Sequence, residues 1–245
     1  MRSIKEMLEC KVHHGHSVQH RNPKMRPFIC TERNGISIIN VLQTRTFLDV
    51  TSTYLRMKVR PSTNILFVGT TFDSCDIIKE SAQKCNSFYV DHRWLGGTLT
   101  NWQSVKKCLD VLKRLEAFDD LDSDGPNLLT KKEMASLNKR KQKLQKNFSG
   151  IKNMTRLPEL IILIGQNHDF NVLAEAKKLN IPIITLADTD CDPTLPTFFI
   201  PANDDSVNSV KLILEELTDA ILEGQGECVD QSPLPLNFTD RETFN

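Results

Sequence analysis

Five short runs along the chain are apolar at nearly every position: NILFVGT (64–70), SFYVD (87–91), ELIILIG (159–165), IPIITLAD (181–188) and TFFIPA (197–202). Unbroken apolarity in β-branched and aromatic residues predicts strands covered on both faces, because a strand with one wet face would alternate. The segments between them place apolar residues three and four apart instead. TFDSCDIIKESAQKC (71–85) and HDFNVLAEAKKLN (168–180) predict amphipathic helices. DDSVNSVKLILEELTDAILEG (204–224) predicts a longer one, with Asp204 and Asp205 suited to its electropositive start and Gly224 just past its end. Strands alternating with helices predict the α/β class and a parallel, doubly wound sheet.

One interval breaks this rhythm. Residues 92–158 hold about twice the length that a crossover between parallel strands requires, which marks an insertion. Its first half carries Trp102, Val105, Leu109, Leu112 and Leu115 at helical spacing; its second carries Met134, Leu137, Leu144 and Phe148 at heptad-like spacing that Lys141 interrupts. DDLDSDGPN (119–127) separates the halves as a turn, so the insertion reads as a two-helix hairpin projecting from the sheet domain. The expected organisation is an N-terminal segment and first part of the α/β domain (1–100), the helical hairpin or coiled-coil arm (101–150), the second part of the α/β domain (151–226) and a flexible tail (227–245) that loses periodicity and gains Gly, Pro and acid.

Composition narrows the class. With 39% hydrophobic and 25% charged residues in 245, the chain reads as globular. Its apolar runs fall well short of the ~20 residues that a membrane-spanning helix needs, so no membrane partner is expected. The N-terminal stretch has no apolar signal core. Seven Cys with no CxxC pair suggest neither a disulfide framework nor a zinc ribbon, and fit a reducing compartment. The net charge of zero conceals a division: residues 1–159 carry 27 Lys and Arg against 16 Asp and Glu, and residues 160–245 carry 4 against 15. Such asymmetry points to one face meeting a polyanion and another meeting water or protein.

Candidate enzyme chemistry finds little support. The loop after the first strand, GTTFDS, has neither GxGxxG nor Walker spacing, so it lacks the glycines that let a pyrophosphate approach. ADTDCDP offers Asp188, Asp190 and Asp192 at alternate positions, but Pro193 and Phe199 stand where a calcium loop needs Gly and Glu; these aspartates read as acceptors for backbone donors at a strand end. His13, His14, His16 and His20 cluster within eight residues without suitably spaced Cys, so contacts to RNA or protein are a better reading than metal. No metal, cofactor or small-molecule substrate is expected.

Basic stretches say more. HRNPKMRPF supplies Arg21, Lys24 and Arg26 on a proline-stiffened segment expected to be extended, which suits contacts along phosphates. Residues 131–156 hold nine Lys and Arg against one acid, Glu133; Lys139, Arg140, Lys141 and Lys143 give the second hairpin arm a basic face. In DHRWLGGTLTNW (91–102), His92 and Arg93 leave a strand end where α/β sheets expose functional groups. Trp94, Gly96, Gly97, Thr100, Asn101 and Trp102 form a structural corner. The glycines permit a tight turn, Thr100 or Asn101 caps the following helix, and an arginine and an aromatic are offered to a partner.

Several motifs in fixed order carry a resemblance: MLECKVHHGH, NPKMRPFI, TERNGISIIN, LFVGT, DHRWLGGTLTNW, LTKKE, GIKNM, LPELIILI, NIPIITLADTDCDP and IPANDDS. Together they resemble the bacterial-type small-subunit ribosomal protein S-two family over nearly the whole chain, from about Met7 to Gly224. The resemblance implies a flavodoxin-like or Rossmann-like domain with a protruding helical hairpin and no enzymatic activity. It implies a structural constituent of the small subunit that contacts small-subunit rRNA and neighbouring ribosomal proteins and, in bacteria, supports docking of an S-one protein. Arg33 and Asn34 fall in one matching motif, and Arg93 in the signature. Departures from the family pattern are Lys11 for Gly, His14 and Arg21 for aromatics, Thr71 for a basic residue and Ser149 for Gly. This drift suggests an organellar lineage, and CDP with IPANDDS is similar to plastid members. The expectation is therefore the plastid stroma, with the mitochondrial matrix as alternative and a bacterium third; the start of the match close to Met1 agrees with an organelle-borne gene.

Overall fold

A computed structural model describes residues 3–71, 74–121 and 131–226. Five parallel strands form the central sheet: β4 (Ile65–Val68), β5 (Phe88–Val90), β6 (Leu160–Leu163), β7 (Ile183–Ala187) and β8 (Phe198–Pro201). Their spatial order, β5-β4-β6-β7-β8, is the 2-1-3-4-5 arrangement of flavodoxin-like sheets. The α/β expectation is met, strand for strand.

Both faces of this sheet are covered, which is why its strands are continuously apolar. Successive side chains point to opposite faces. Ile65, Phe67, Ile162, Ile184 and Ile200 join one core with α1 (Ile4–Glu9), α2 (Val41–Lys58), α3 (Cys75–Lys84) and α7 (Val207–Gly226). Leu66, Val68, Ile161, Leu163 and Ile183 join a second core with α4 (Trp102–Leu121), α5 (Lys131–Phe148) and α6 (Phe170–Lys178). The hairpin helices are anchored there: Leu109, Leu112 and Phe148 are buried in that second core. The turn expected between them lies largely outside the described residues, as does the tail from 227.

Two elements precede the sheet that apolar periodicity did not announce. Strands β1 (His14–Ser17), β2 (Ile29–Arg33) and β3 (Ile36–Ile39) form a separate antiparallel sheet in the order β1-β3-β2. Asn34 and Gly35, at φ of 54° and 76°, make the two-residue turn between β2 and β3, as an Asn-Gly pair does in a type I′ hairpin. Helix α2 starts where the Asn40 side chain accepts the Leu42 N–H at 3.1 Å. Its buried stripe contains Thr44, Thr51 and Ser52, which blurs the apolar pattern; the Thr44 hydroxyl donates to the Pro201 carbonyl at 2.6 Å.

Two local expectations are corrected. The segment around Arg21, Lys24 and Arg26 is wound into 3-10 turns over Val18–His20 and Pro23–Phe28 and is not extended. Pro23 presets the helical φ, Asn22 accepts the Lys24 N–H at 3.0 Å, and winding buries Met25 against Ala187, Cys191, Phe28 and Phe199. Gly224 lies inside α7, which runs to Gly226; the missing side chain lets the backbone of Leu55 and Arg56 in α2 pass close by.

Candidate nucleic-acid interface

The corner 91–102 is organised by a residue that the sequence motif does not contain. Glu175, on α6 and only 9% exposed, reaches across to it. Its Oε1 accepts from Trp94 Nε1 at 3.0 Å and from the Gly97 N–H at 2.8 Å. Oε2 accepts from the N–H groups of Leu99 at 2.9 Å and Thr100 at 3.1 Å, and from the Thr100 hydroxyl at 3.3 Å. Burial pushes this carboxyl up, but the bonds from Trp94, Gly97, Thr100 and Leu99 outweigh it and hold its pKa below the ordinary value. A buried carboxylate without such donors would be costly; here five of them hold the loop to the sheet domain.

This geometry reassigns the corner's parts. Trp94 is 6% exposed and faces the core, so it is not the aromatic offered to a partner; its indole N–H is committed to Glu175. Gly97, at φ of 88°, makes the turn, and nothing approaches Gly96. Thr100 spends both donors on Glu175 instead of capping, and the Asn101 carbonyl accepts the Val105 N–H at 3.3 Å where α4 begins. Trp102 is half-buried against the second core, with Lys106 Nζ 5.9 Å from its ring centre. Beside Gly96, Thr100 and Asn101, the residues that the corner exposes to solvent are His92 and Arg93.

The remaining basic candidates divide between free and tethered side chains. Arg26, Arg33, Lys139, Arg140 and Lys143 are exposed. Arg33 lines a cavity of about 390 Å³ with His13, His14 and Asn34 on the small sheet. Lys141 is half-buried, in the field of Glu116, which also accepts from Gln145 Nε2 at 3.1 Å and pairs with Lys152. Arg21 pairs with Glu32, and Lys24 Nζ reaches Asp192 at 2.6 Å and Thr194 at 3.2 Å, which fastens the N-terminal segment to the loop after β7. The candidates therefore do not form one patch: His92 and Arg93 follow β5 at one edge of the sheet, while Lys24 sits beside the loop joining β7 and β8 at the other.

Strands β5 and β4 of the basic half lie side by side, and β6, β7 and β8 of the acidic half complete the sheet, but the N-terminal segment and α2 of the basic half pack against the ends of β7 and β8 and against α7, so the division in sequence is only partly a division in space. At the acidic side, the carboxyl ends of β7 and β8 gather Asp188, Asp190, Asp204 and Asp205 around His16 of β1. Asp204 and Asp205 stand before α7, in a turn where Asn203 Oδ1 accepts from the N–H groups of Asp205 at 2.8 Å and Ser206 at 3.2 Å. Burial pushes Asp204 up to about 8, with Asp188, Asp190 and Asp205 adding to it. The side-chain contact with Asp188 raises His16 to about 9 against the opposing effect of burial.

In sheets of this order, ligands enter at the crevice between the strands corresponding to β4 and β6. Asp169 accepts from the Thr70 N–H at 3.2 Å and from its hydroxyl at 2.9 Å, across the loop GTTFDS. No helix among the described residues is long and apolar enough to cross a membrane.

Comparison with known proteins follows the same line. The family described as Ribosomal protein S2 matches residues 7–224. The small ribosomal subunit protein uS2c of Oltmannsiellopsis viridis is 45% identical over 224 residues, 91% of this chain and 93% of the relative. That of Cyanophora paradoxa is 44% identical over 222 residues, covering 91% and 94%. The uS2 protein of Trichodesmium erythraeum is 44% identical over 223 residues, covering 91% and 81%. With one match spanning Met7 to Gly224 on a sheet of flavodoxin-like order, the chain belongs to the ribosomal protein S2 family.

Proposed function

We propose that the chain is a non-catalytic constituent of the plastid small ribosomal subunit, binding its rRNA and neighbouring ribosomal proteins. Membership of a family of structural ribosomal components carries the coarse role. The plastid reading rests on relatives named uS2c in two plastid-bearing organisms beside cyanobacterial ones. The rRNA contact rests on the exposed cations of α5, Lys139, Arg140 and Lys143, and on Arg93 beside the rigid corner. A phosphate backbone is met by long flexible cations on a regular element, and loss of each contact reduces the salt dependence of binding. The acidic side of the sheet and α7 suit protein neighbours, an S-one-like protein included.

The test substitutes Lys139, Arg140 and Lys143 together with Ala and measures binding to small subunits lacking this protein, at two salt concentrations. Each lost phosphate contact lowers the log–log salt slope by about 0.7–0.9. For three contacts, the gap between wild type and variant should narrow roughly 20–40-fold over a fourfold rise in salt. Parallel salt curves would show that this face is only solvated. Sucrose-gradient sedimentation of a plastid extract should find the chain with small subunits; finding it only as free protein refutes the placement.

A further inference from the structure

The small N-terminal sheet inverts the usual pattern of an antiparallel sheet with one wet face, in which apolar side chains point inward and polar ones outward. In β3, Ser37 and Ile39 are buried, at 0% and 1% exposure. Ile36 and Ile38 alternate with them and therefore stand on the outer face, Ile36 at 38% exposure and Ile38 half-buried. Cross-strand pairing sets His14 and Thr31 beside Ile38, and Arg33 beside Ile36. The outer face is thus an apolar stripe with an imidazole at one end and a guanidinium at the other.

These side chains line the cavity of about 390 Å³. That volume lies within the range of about 300–1,000 Å³ that small-molecule sites occupy. The rings of His13 and His14 form part of its wall, edge to face, with centres 4.5 Å apart. Burial, with repulsion from His14 adding to it, holds the His13 pKa below its ordinary value of 6.5, so that ring is flat and neutral at neutral pH. Asn34, placed at the rim by the tight turn, adds an amide that can both donate and accept. Among the described residues no carboxylate lines the cavity; Glu32 alternates to the opposite face and pairs with Arg21.

We propose that this cavity takes one unpaired nucleotide of small-subunit rRNA, its base lying against Ile36, Ile38 and the His14 ring and its phosphate meeting Arg33. Bases splayed out of single-stranded RNA stack on flat side chains such as His and are hydrogen-bonded at their edges, which is the combination that the isoleucines, the imidazoles and Asn34 offer. Bases inside a duplex are stacked on each other and cannot enter. A neighbouring protein would cover the isoleucines but would need a separate acid for Arg33, whereas a nucleotide carries the flat ring and the anion in one unit. The inference rests on the rRNA reading proposed above. It adds to the cations of α5 a contact on another element, made by stacking more than by charge.

The test adds the full chain to small subunits lacking it, maps the chemical reactivity of the rRNA bases, and measures binding at two salt concentrations. The wild type should protect an unpaired base that is reactive in its absence. His14→Ala combined with Ile36→Ala should restore that reactivity and weaken binding roughly 5–150-fold, the loss of one stacked base. The factor should be the same at both salts, because stacking releases no counterions. Arg33→Glu, at an exposed position that packing does not need, should also restore the reactivity, with a loss that changes with salt. Thermal unfolding of the free variants checks that each is folded. The inference is overturned if the wild type and these variants bind equally and protect the same bases, or if cross-linking joins the hairpin of β2 and β3 to a ribosomal protein and not to RNA. A wild type that does not bind these subunits at all refutes the ribosomal reading, and this inference with it.

Discussion

Replacing Glu175 by Gln removes one acceptor and one charge from the corner while keeping its shape. The amide's single oxygen does least harm at the Oε2 position, where it retains the bonds from Leu99 and Thr100. The NH₂ group then faces Trp94 Nε1–H and the Gly97 N–H, two donors that lose their acceptor. An orphaned buried donor costs about 1–3 kcal/mol, so the variant should be destabilised by roughly 2–6 kcal/mol. For a chain of this size, each kcal/mol lowers the Tm by about 2–4 °C, which makes a loss of 6 °C or more the central expectation. Thermal unfolding followed by circular dichroism, with indole fluorescence reporting on Trp94, measures it. A pH series adds a second signature. The folded-state pKa of Glu175 lies below its ordinary value of 4.5, so its contribution is complete above about pH 4.5 and is lost as pH falls through the folded value. The Gln variant should lack that acid-side component. A Tm within about 2 °C of wild type, with an unchanged acid limb, would refute the view that Glu175 holds the corner.

Three further outcomes follow from the same structure. Gly97→Ala forces a side chain into φ of 88° and should cost about 1–2 kcal/mol, measured by urea unfolding, whereas Gly96→Ala should be close to neutral. Lys11 sits at φ of 59° where the family carries Gly, so Lys11→Gly should raise stability by up to about 1 kcal/mol; no gain would show that the position is unstrained. Among the described cysteines, alkylation read by peptide mapping should modify exposed Cys30 first, and Cys85 and Cys191 only on unfolding, because burial pushes the Cys85 thiol up to about 11 and the Cys191 thiol higher still.

The sheet and its flanking helices were legible because they obey periodicity. Runs such as LIIL in β6 and IITLA in β7 leave no wet face, and a strand with no wet face must lie inside a covered parallel sheet. The small N-terminal sheet and α2 were not read, although Asn34-Gly35 was a signal for the hairpin; β2 is exposed along most of its length and α2 buries Thr and Ser, so neither shows apolar contrast. Among the site residues, Arg93 and Lys139 were identified by charge and remain on the surface, while Lys24 turned out to be held by Asp192 and Trp94 by Glu175. Whether a cation is free or tethered depends on a partner, and sequence places no partner at a distance of 168 residues.

The sequence by itself determined the class of fold, the order of its elements from β4 onward, the family and the uneven charge of its two halves, all of which depend on local pattern or on motifs read in line. Tertiary structure decided which side chains remain available to a partner, that one glutamate on α6 sets the conformation of a loop it never touches in sequence, and that His16 meets three aspartates from two other strand ends. These follow from crossover topology: parallel strands bring their carboxyl ends to one rim regardless of the chain between them, so chemistry assembled there is invisible to spacing.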